Sequence, residues 1–449
     1  MTERVATNAG AWLKPGTVPS GWAWTTLDEI ADVRLGRQRS PKNHAGSRMR
    51  PYLRAANVTW RGLELSDVKE MNFTEAESET YELRPGDVLV AEASGSASEV
   101  GKPGIWRGEI EGCCFQNTLV RVRTQHASPE YLRYFLLLEA RSGRIGNASP
   151  GVGIHHIGAG RLSEWPVLLP PLNEQRRIVA AIEEHLSRLD AADASLAAAS
   201  RRLIPLRAHA LAANGNGWPT SALRELLREP LRNGHSAKAS RDGTVRTLTL
   251  TAVTRAQFTD DNTKLTAADS AKVKGLWLEP GDIFIERSNT PGLVGTAALF
   301  NGPREWAIFP DLLIRVRVGD AVLPAFLEII LKSRPARTYF QRSAQGIAGS
   351  MPKIDQGVVE RLEVPVPPLE EQRRIVAEIE ERLGAIDALR AAIERAQRRG
   401  AALRRSVLER AFRGELVPQD PSDEPAEALL ARIRAERDAA KPAGRRKRA

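Results

Sequence analysis

Two stretches of the chain repeat an apolar step of four and three residues, the seam of a helix that packs lengthwise on a partner. In the first, apolar residues fall at Ile178, Ile182, Leu189, Leu196 and Leu203, with Ala192 and Ala199 between them. The second runs Ile375, Ile379, Ile386, Leu389, Ile393, Ala396, Leu403 and Val407. Each opens after a Pro-Pro pair with acidic residues in its first turn, which suits the positive end of a helix dipole. Gly215 and Gly414 stand where a left-handed cap would end each helix. About 40 residues at 1.5 Å each give helices on the order of 60 Å. Neither hides its seam alone, so the pattern predicts that the two pack antiparallel, with a globular domain toward each end. Pro205 removes a backbone donor and crowds Arg201, so the first helix is expected to kink or stop short there.

Ahead of each helix lie about 150 residues with a different rhythm. Short period-2 apolar runs occur at Gly86–Ala91, Asn117–Val122 and Asp282–Glu286, broken by Gly and Pro. Helical patches follow at Glu130–Leu138 and Phe326–Leu331. This mixture predicts an α+β domain on an irregular, mostly antiparallel sheet. The Pro-Gly-Asp element at the head of two of these runs reads as a turn feeding a buried strand, part of the fold and not of a site.

The two halves are copies of one unit. Residues 170–191 read PPLNEQRRIVAAIEEHLSRLDA and residues 367–388 read PPLEEQRRIVAEIEERLGAIDA, an offset of 197 (368 − 171). Upstream, Gly21-Trp22 faces Gly217-Trp218 at 196 (218 − 22), Gly86-Asp87 faces Gly281-Asp282 at 195 (281 − 86), and Arg121 faces Arg315 at 194 (315 − 121). A near-constant offset means one architecture used twice, a pseudo-twofold molecule and not a solenoid.

Composition narrows the class. The chain has 449 residues, 42% hydrophobic and 27% charged, roughly three ordinary domains. No apolar run is long enough to span a membrane, and the N-terminus lacks the pattern of a signal peptide, so a cytoplasmic protein is expected. The only cysteines, Cys113 and Cys114, are adjacent. Neighbours in a strand point to opposite faces, which argues against a structural disulfide, and the other ligands of a zinc site are missing. Catalytic motifs are absent too. Gly95 to Lys102 resembles a phosphate-binding loop, but five residues separate its glycines instead of four, and Pro103 replaces the Ser or Thr that would hold magnesium. Neither Pro-Pro-Leu follows Asn or Asp in the pattern that grips a flipped adenine, and no glycine-rich turn for a methyl donor precedes either. Pro310-Asp311 lacks the downstream acid and lysine of a nuclease. His155-His156 stands without carboxylate or thiolate at ligand spacing, so a polar loop contact is preferred to a metal.

Lysine plus arginine number 65 against 55 acidic residues, a formal charge of +10. The surplus suits a polyanion only if it is clustered. Between Arg34 and Arg61 there are eight basic residues and no acid; most acids of that domain then lie between Glu64 and Glu111. Polarisation along the sequence is what a face gripping phosphates requires, with a solvated basic surface as the alternative. The second domain carries a weaker group at Lys238, Arg241, Arg246 and Arg255, and the chain ends in a basic tail, Lys441 and Arg445–Arg448.

Two domains that open on Gly-Trp, contain Pro-Gly-Asp, and close on Pro-Pro-Leu-x-Glu-Gln-x-x-Ile-Val with a long helix resemble the specificity (S) subunit of type I restriction–modification systems. The ending Ala411-Phe-Arg-Gly-Glu-Leu-Val-Pro-Gln-Asp-Pro421 is similar to that family's C-terminus. The resemblance spans residues 17 to 437, departing at Pro205 and in the tail. It implies target-recognition domains at 17–169 and 215–366, spacer helices at 170–214 and 367–413, an N-terminal extension at 1–16 and a C-terminal segment at 414–449. It further implies a non-catalytic reader of double-stranded DNA that recognises a bipartite, asymmetric site. Two methyltransferase subunits, using S-adenosylmethionine, would modify adenine, and restriction subunits using ATP and magnesium would cut. This chain itself would need no cofactor, metal or membrane. The alternatives are the DNA-reading part of a single-chain restriction–methylation enzyme, which needs several hundred further residues, and a coiled-coil scaffold without a DNA role, which leaves the duplicated domains unexplained.

Candidate DNA contacts fall at equivalent loops of the two copies. The first group is Arg37, Arg39, Lys42, Arg48 and Arg50, opposite Lys238 and Arg241. The second is Ser94, Ser96 and Ser98, opposite Arg287, Ser288 and Asn289. The third is His155 and His156, opposite Gln345, Ser350 and Lys353. For each, a phosphate contact or an ordinary loop position is the alternative to base reading.

Overall fold

The structure is a computed structural model that describes residues 18–41, 44–149, 154–210, 217–345 and 351–440. Lys42, Ser350, Gly215, the N-terminal extension and the basic tail lie outside the described residues. The chain divides into two compact units, 1–194 with 397–449, and 195–396. Each unit combines one front domain with parts of both long helices, so the divide runs through the helices and not at their ends.

Each front domain is built on a four-stranded sheet, and the strand order is the same in both. In the first, Ala31–Leu35 and Val88–Ala91 flank Leu119–Thr124, and Pro103–Ile105 closes the far edge beside Val88–Ala91. In the second, Arg232–Asn233 and Asp282–Glu286 flank Leu313–Val316, with Ala297–Phe300 at the corresponding edge. All these pairings are antiparallel. A parallel contact, Cys114–Phe115 against Tyr52–Leu53, occurs outside this sheet. The central strands Val88–Ala91 and Asp282–Glu286 are buried at every position, and the helices Pro129–Arg141 and Pro324–Lys332 cover them with Leu132, Phe135, Phe326 and Leu327. Leu119–Val122 is likewise buried throughout, Arg121 included, so these strands are covered on both faces and lack the alternate exposure of a half-buried period-2 strand.

The Pro-Gly-Asp turn carries more of the fold than a turn alone. Asp87 is fully buried and receives Arg123 Nε at 2.6 Å and Nη2 at 2.7 Å, while its other contact caps the Arg84 amide. Asp282 and Arg317 repeat this at 2.5 and 3.0 Å, with the Glu279 amide in place of Arg84. A carboxylate bound to a guanidinium fork is what lets this charge be buried.

The glutamine of each Pro-Pro-Leu-x-Glu-Gln joins its long helix to its domain. Gln175 accepts from the Ser128 amide and donates to the Pro170 carbonyl; Gln372 accepts from Leu323 and donates to Pro367 and Ala321. Ile178 and Ile182 then complete the first domain's core, Ile375 and Ile379 the second's.

The long helices are Leu172–Ala210 and Leu369–Phe412. Within the first unit they run antiparallel: Arg404 reaches Asp190 at 2.9 Å and Asp193 at 2.7 Å, while Leu408, Ala411 and Phe412 lie in the core cluster that holds Ile178 and Ile182. Leu203 and Ile393 are buried, and Leu189, Leu196 and Ile386 are half-buried. Leu389 and Leu403 are corrections to the expected seam, being 47% and 46% exposed. The packed row instead passes through Ile393, Gly400 and Val407, with Arg404 and Ala411 beside it, so that Leu403 sits one position off the contact line, while Leu389 lies in an exposed stretch between Ile386 and Ile393. Pro205 does not end the first helix, which continues to Ala210. The proline leaves Arg201's carbonyl without its usual donor, and its neighbours Ile204 and Leu206 are exposed, where water can satisfy such a group.

A closing helix, Ala426–Ala440, packs on the first domain through Ala426, Leu430 and Ile433. Its attachment includes the Ala426 amide to Gly21 and ion pairs of Arg434 with Glu29 and Arg177 with Asp423.

Candidate nucleic-acid interface

The ends of the duplicated sheet bring two of the three loop groups together in each domain. In the first, Ser94 pairs with His155 and Ala93 with His156 across a two-residue ladder. Ser96 and Ser98 hydroxyls lie 2.8 Å apart in the loop beyond, and the Ser96 amide donates to Ser94 Oγ. The exposed His156 ring approaches the Glu92 carboxylate at 3.1 Å, and His155 Nδ1 faces the Ser149 carbonyl. The outcome is a ridge of hydroxyls and imidazoles with alternative donor and acceptor states.

In the second domain the corresponding ladder joins Ser288 to Lys353 and Lys353 to Gln345. The Ile354 amide donates to Arg287 as Ile157 donates to Glu92, and Arg287 donates to Leu312 as Glu92 donates to Thr118. These bonds equate Arg287 with Glu92 and Lys353 with His156. The two domains therefore present different chemistry from one backbone frame: an acid and a histidine in one, two cations in the other. Lys353 is exposed. Ser288 is buried, and Asn289 is held by the Glu286 carboxylate at 2.6 Å, so both shape the loop and project little. Burial pushes the Glu286 carboxyl above its ordinary range, against the hydrogen bonds from Thr254 and Asn289 that favour the anion.

The basic run is placed otherwise. Arg37 is buried, bound to Glu77 at 2.8 Å and set over the Phe73 ring, so it is a structural residue and not an outward contact. Arg48 pairs with Glu75 at 3.0 Å, Arg50 with Glu82 at 3.5 Å and Arg54 with Asp67 at 2.6 Å. The acidic stretch that follows the basic run thus folds back and neutralises much of it: polarity along the sequence becomes pairing in space. Arg39 is exposed, with its Nε on His44. Lys238 and Arg241 are also exposed, at the edge of the hairpin formed by Val245–Leu248 and Thr263–Thr266. Arg246 pairs with Asp260 and lies over Trp306.

Several residues at these strand ends are not marked by the sequence pattern. Gln116 bridges to Arg37, Asn233 contacts Gln356 at 3.2 Å, and Ser236 binds Asp311. The available signal is Gly36 and Gly234: a Cβ there would lie 2.2 Å from the Gln116 carbonyl and 2.0 Å from that of Phe309. Only glycine permits so close an approach of two backbones, and it marks where each loop crosses its sheet.

Among the described residues, no group of three His, Cys, Asp or Glu side chains gathers to hold a metal. No described helix is long and apolar enough to cross a membrane. Cys114, at the start of the strand Cys114–Phe115, and Cys113, just before it, are free and buried in separate core clusters, and burial pushes both thiols up to about 12.

Residues 19–195 match the family described as the type I restriction modification DNA specificity domain. The chain is 27% identical to the type I restriction enzyme StySPI specificity subunit of Salmonella potsdam, over 94% of this chain and 96% of that protein. It is 25% identical to the EcoKI specificity subunit of Escherichia coli K12, over 97% and 100%. Among solved structures, a chain from a study of assembly and conformational transition of the type I R-M system aligns with a TM-score of 0.71 at 21% identity, over 89% of this chain and 100% of that one. The HsdS subunit from Thermoanaerobacter tengcongensis aligns at 0.56 and 22%, over 89% and 99%. At these identities the structural likeness concerns the fold.

Proposed function

The chain belongs to the family of type I restriction–modification specificity subunits, and from that premise we propose that its two front domains each read one half of a bipartite, asymmetric DNA site. The observation that carries this reading is the repeated loop frame with unlike side chains. Glu92, Ser94, His155 and His156 occupy the frame in residues 17–169; Arg287, Ser288, Asn289, Gln345 and Lys353 occupy it in residues 215–366. Two copies of one scaffold with different tips suit two different half-sites. Base edges in the major groove offer distinct donor and acceptor patterns, which Arg and Lys read at guanine and carboxylates read at cytosine. Lysines and arginines around them hold the phosphates and set register.

On this reading the chain performs no chemistry. Adenine methylation belongs to two methyltransferase subunits that bind S-adenosylmethionine, and cleavage to restriction subunits that use ATP and magnesium. The assembled complex would work in the cytoplasm, where foreign DNA arrives. The test is the adenine methylation map of a host expressing this chain with its methyltransferase subunits. The expected result is one two-part motif that vanishes when this chain is deleted. Methylation unchanged by the deletion, or robust methyl transfer by the highly purified chain alone, would refute the assignment.

A further inference from the structure

We propose that the helix Arg334–Ser343 of the second front domain carries a docking groove for the sugar–phosphate backbone of DNA, with Arg334 and Arg342 as its cations. The proposal rests on the DNA-reading function above and adds a surface that the candidate loops do not include. Arg334, Pro335, Thr338, Tyr339, Arg342 and Ser343 line an open groove of about 520 Å³, and no acidic side chain is among them. Arg334 and Arg342 are exposed, and neither makes an ion pair among the described residues. At the start of the helix Leu369–Phe412, by comparison, Arg373, Arg374 and Arg382 are neutralised by Glu370, Glu371 and Glu378.

The rest of the helix is committed inward. Ala336 and Phe340 are buried, Arg337 donates to the carbonyls of Val294 and Gly292 at 2.9 and 2.7 Å, and the Tyr339 hydroxyl donates to Val358 at 3.0 Å. These contacts fix the helix with Arg334, Thr338 and Arg342 outward. The three stand at i, i+4 and i+8, a row on the order of 12 Å long. Phosphates advance about 3.4 Å along the axis per strand, so the row spans roughly three or four of them. Thr338 and Ser343 add hydroxyl donors between the cations. Ser343 lines the groove and Gln345, two residues on, bridges to Lys353, so the groove adjoins the candidate reading loops. The charge, the hydroxyls and this continuity favour a nucleic-acid backbone over an acidic protein surface.

Among the described residues, the first domain has no equivalent. The helix after Pro129–Arg141 is only Arg144–Asn147, and Arg144 is paired with Glu139. The grip therefore belongs to one half of the site.

The test uses the full chain assembled with its methyltransferase subunits and a duplex bearing the methylated motif. Affinity is measured against salt concentration for wild type, R334Q/R342Q and R334K/R342K. Each phosphate neutralised contributes about 0.9 to the slope of log affinity on log salt. The glutamine pair should make that slope shallower by about 1.8, leaving the methylated sequence unchanged, and the lysine pair should keep the wild-type slope. Normal wild-type binding with an unchanged slope in the glutamine variant would overturn the groove alone. Loss of methyltransferase subunits from that variant on size exclusion, with the slope unchanged, would assign the groove to a protein and overturn it as well. A wild-type complex with no salt-dependent affinity for any duplex would instead overturn the DNA reading beneath it.

Discussion

Asp87 and Asp282 show how one buried charge can anchor a domain. Each is enclosed, caps the turn before it and holds an arginine of the neighbouring segment, Arg123 within Leu119–Thr124 and Arg317 just past Leu313–Val316. Removing the carboxylate leaves Arg123 without an ion-pair partner among the described residues and Arg317 with only its longer contacts to Glu229 and Glu279, a loss of up to about 3–5 kcal/mol. D282A should lower the urea midpoint of its domain accordingly, and an unchanged midpoint would show that the pair is dispensable. Glu174 acts in the opposite sense. It is buried, and burial raises its carboxyl pKa, with nearby Asp423 adding to the rise, against Trp22 and Arg177, which favour the anion. The folded chain therefore holds this proton more tightly than the unfolded chain. Its contribution to stability falls as pH rises from the ordinary value of 4.5 through the raised one, and stays low above it. E174Q should flatten that part of the profile and raise the thermal midpoint near pH 7 relative to wild type. A lower midpoint there would show the anion to be stabilising. At the reading loops, K353A should relax specificity in one half-site by about 1–3 kcal/mol if the lysine reads a base. If instead it holds a phosphate, binding should weaken evenly across sequences. Methylation competition between single-base variants of the motif separates the two.

Among elements, the closing helix Ala426–Ala440 shows that the C-terminal segment belongs to the first domain's core. Leu430 and Ile433 are almost fully buried there. Truncating such a leucine costs about 2–5 kcal/mol, so L430A should lower the stability of the first unit and speed amide exchange in Ala23–Thr26, leaving the sheet of the second unit unaffected. Equal loss in both units would mean that they unfold as one. The basic run behaves differently from its appearance at the same scale. Its sequence density suggests a phosphate-gripping face, yet Arg37, Arg48, Arg50 and Arg54 meet Glu77, Glu75, Glu82 and Asp67. Which charges remain available to a ligand depends on how two successive segments fold together, and neither segment reveals that alone.

For the whole molecule, the duplication predicts independent readers joined by two long helices. Exchanging about residues 20–165 for the same domain of a relative should change one half of the methylated motif and leave the other intact. Changes in both halves would argue against independent reading. Inserting four residues between Ala192 and Ala199 lengthens a continuous helix by about 6 Å and turns its C-terminal part by about 40°. Since DNA rises about 3.4 Å per pair, the expected result is a spacer longer by one or two base pairs, with both half-sites retained and activity reduced by the broken seam. A folded, active insertion variant confined to the original spacing would show that the helices do not measure it.

The order of residues alone is enough for the duplicated α+β architecture, both long helices and the buried strands after Pro-Gly-Asp. These rest on local periodicity and on a repeat long enough to align with itself. It also sets Ser94 opposite Arg287 and His155 opposite Lys353 in equivalent groups, because the offset between copies carries over to their loops, whereas the meeting of the two groups at one sheet end comes from strand pairing. Relations that depend on contacts distant in the chain stay open until the fold is known. Leu389 and Leu403 fit the heptad but miss the packed row, since the row is chosen by the facing helix and not by spacing alone. Pro205 carries its helix onward where a proline usually ends one, at a position open to water. Arg37 turns inward, whereas Arg334 and Arg342 remain outward without carboxylate partners among the described residues. A residue's type fixes the charge it carries. Whether that charge is neutralised inside the fold or kept for a ligand is decided by the neighbours that tertiary folding brings to it.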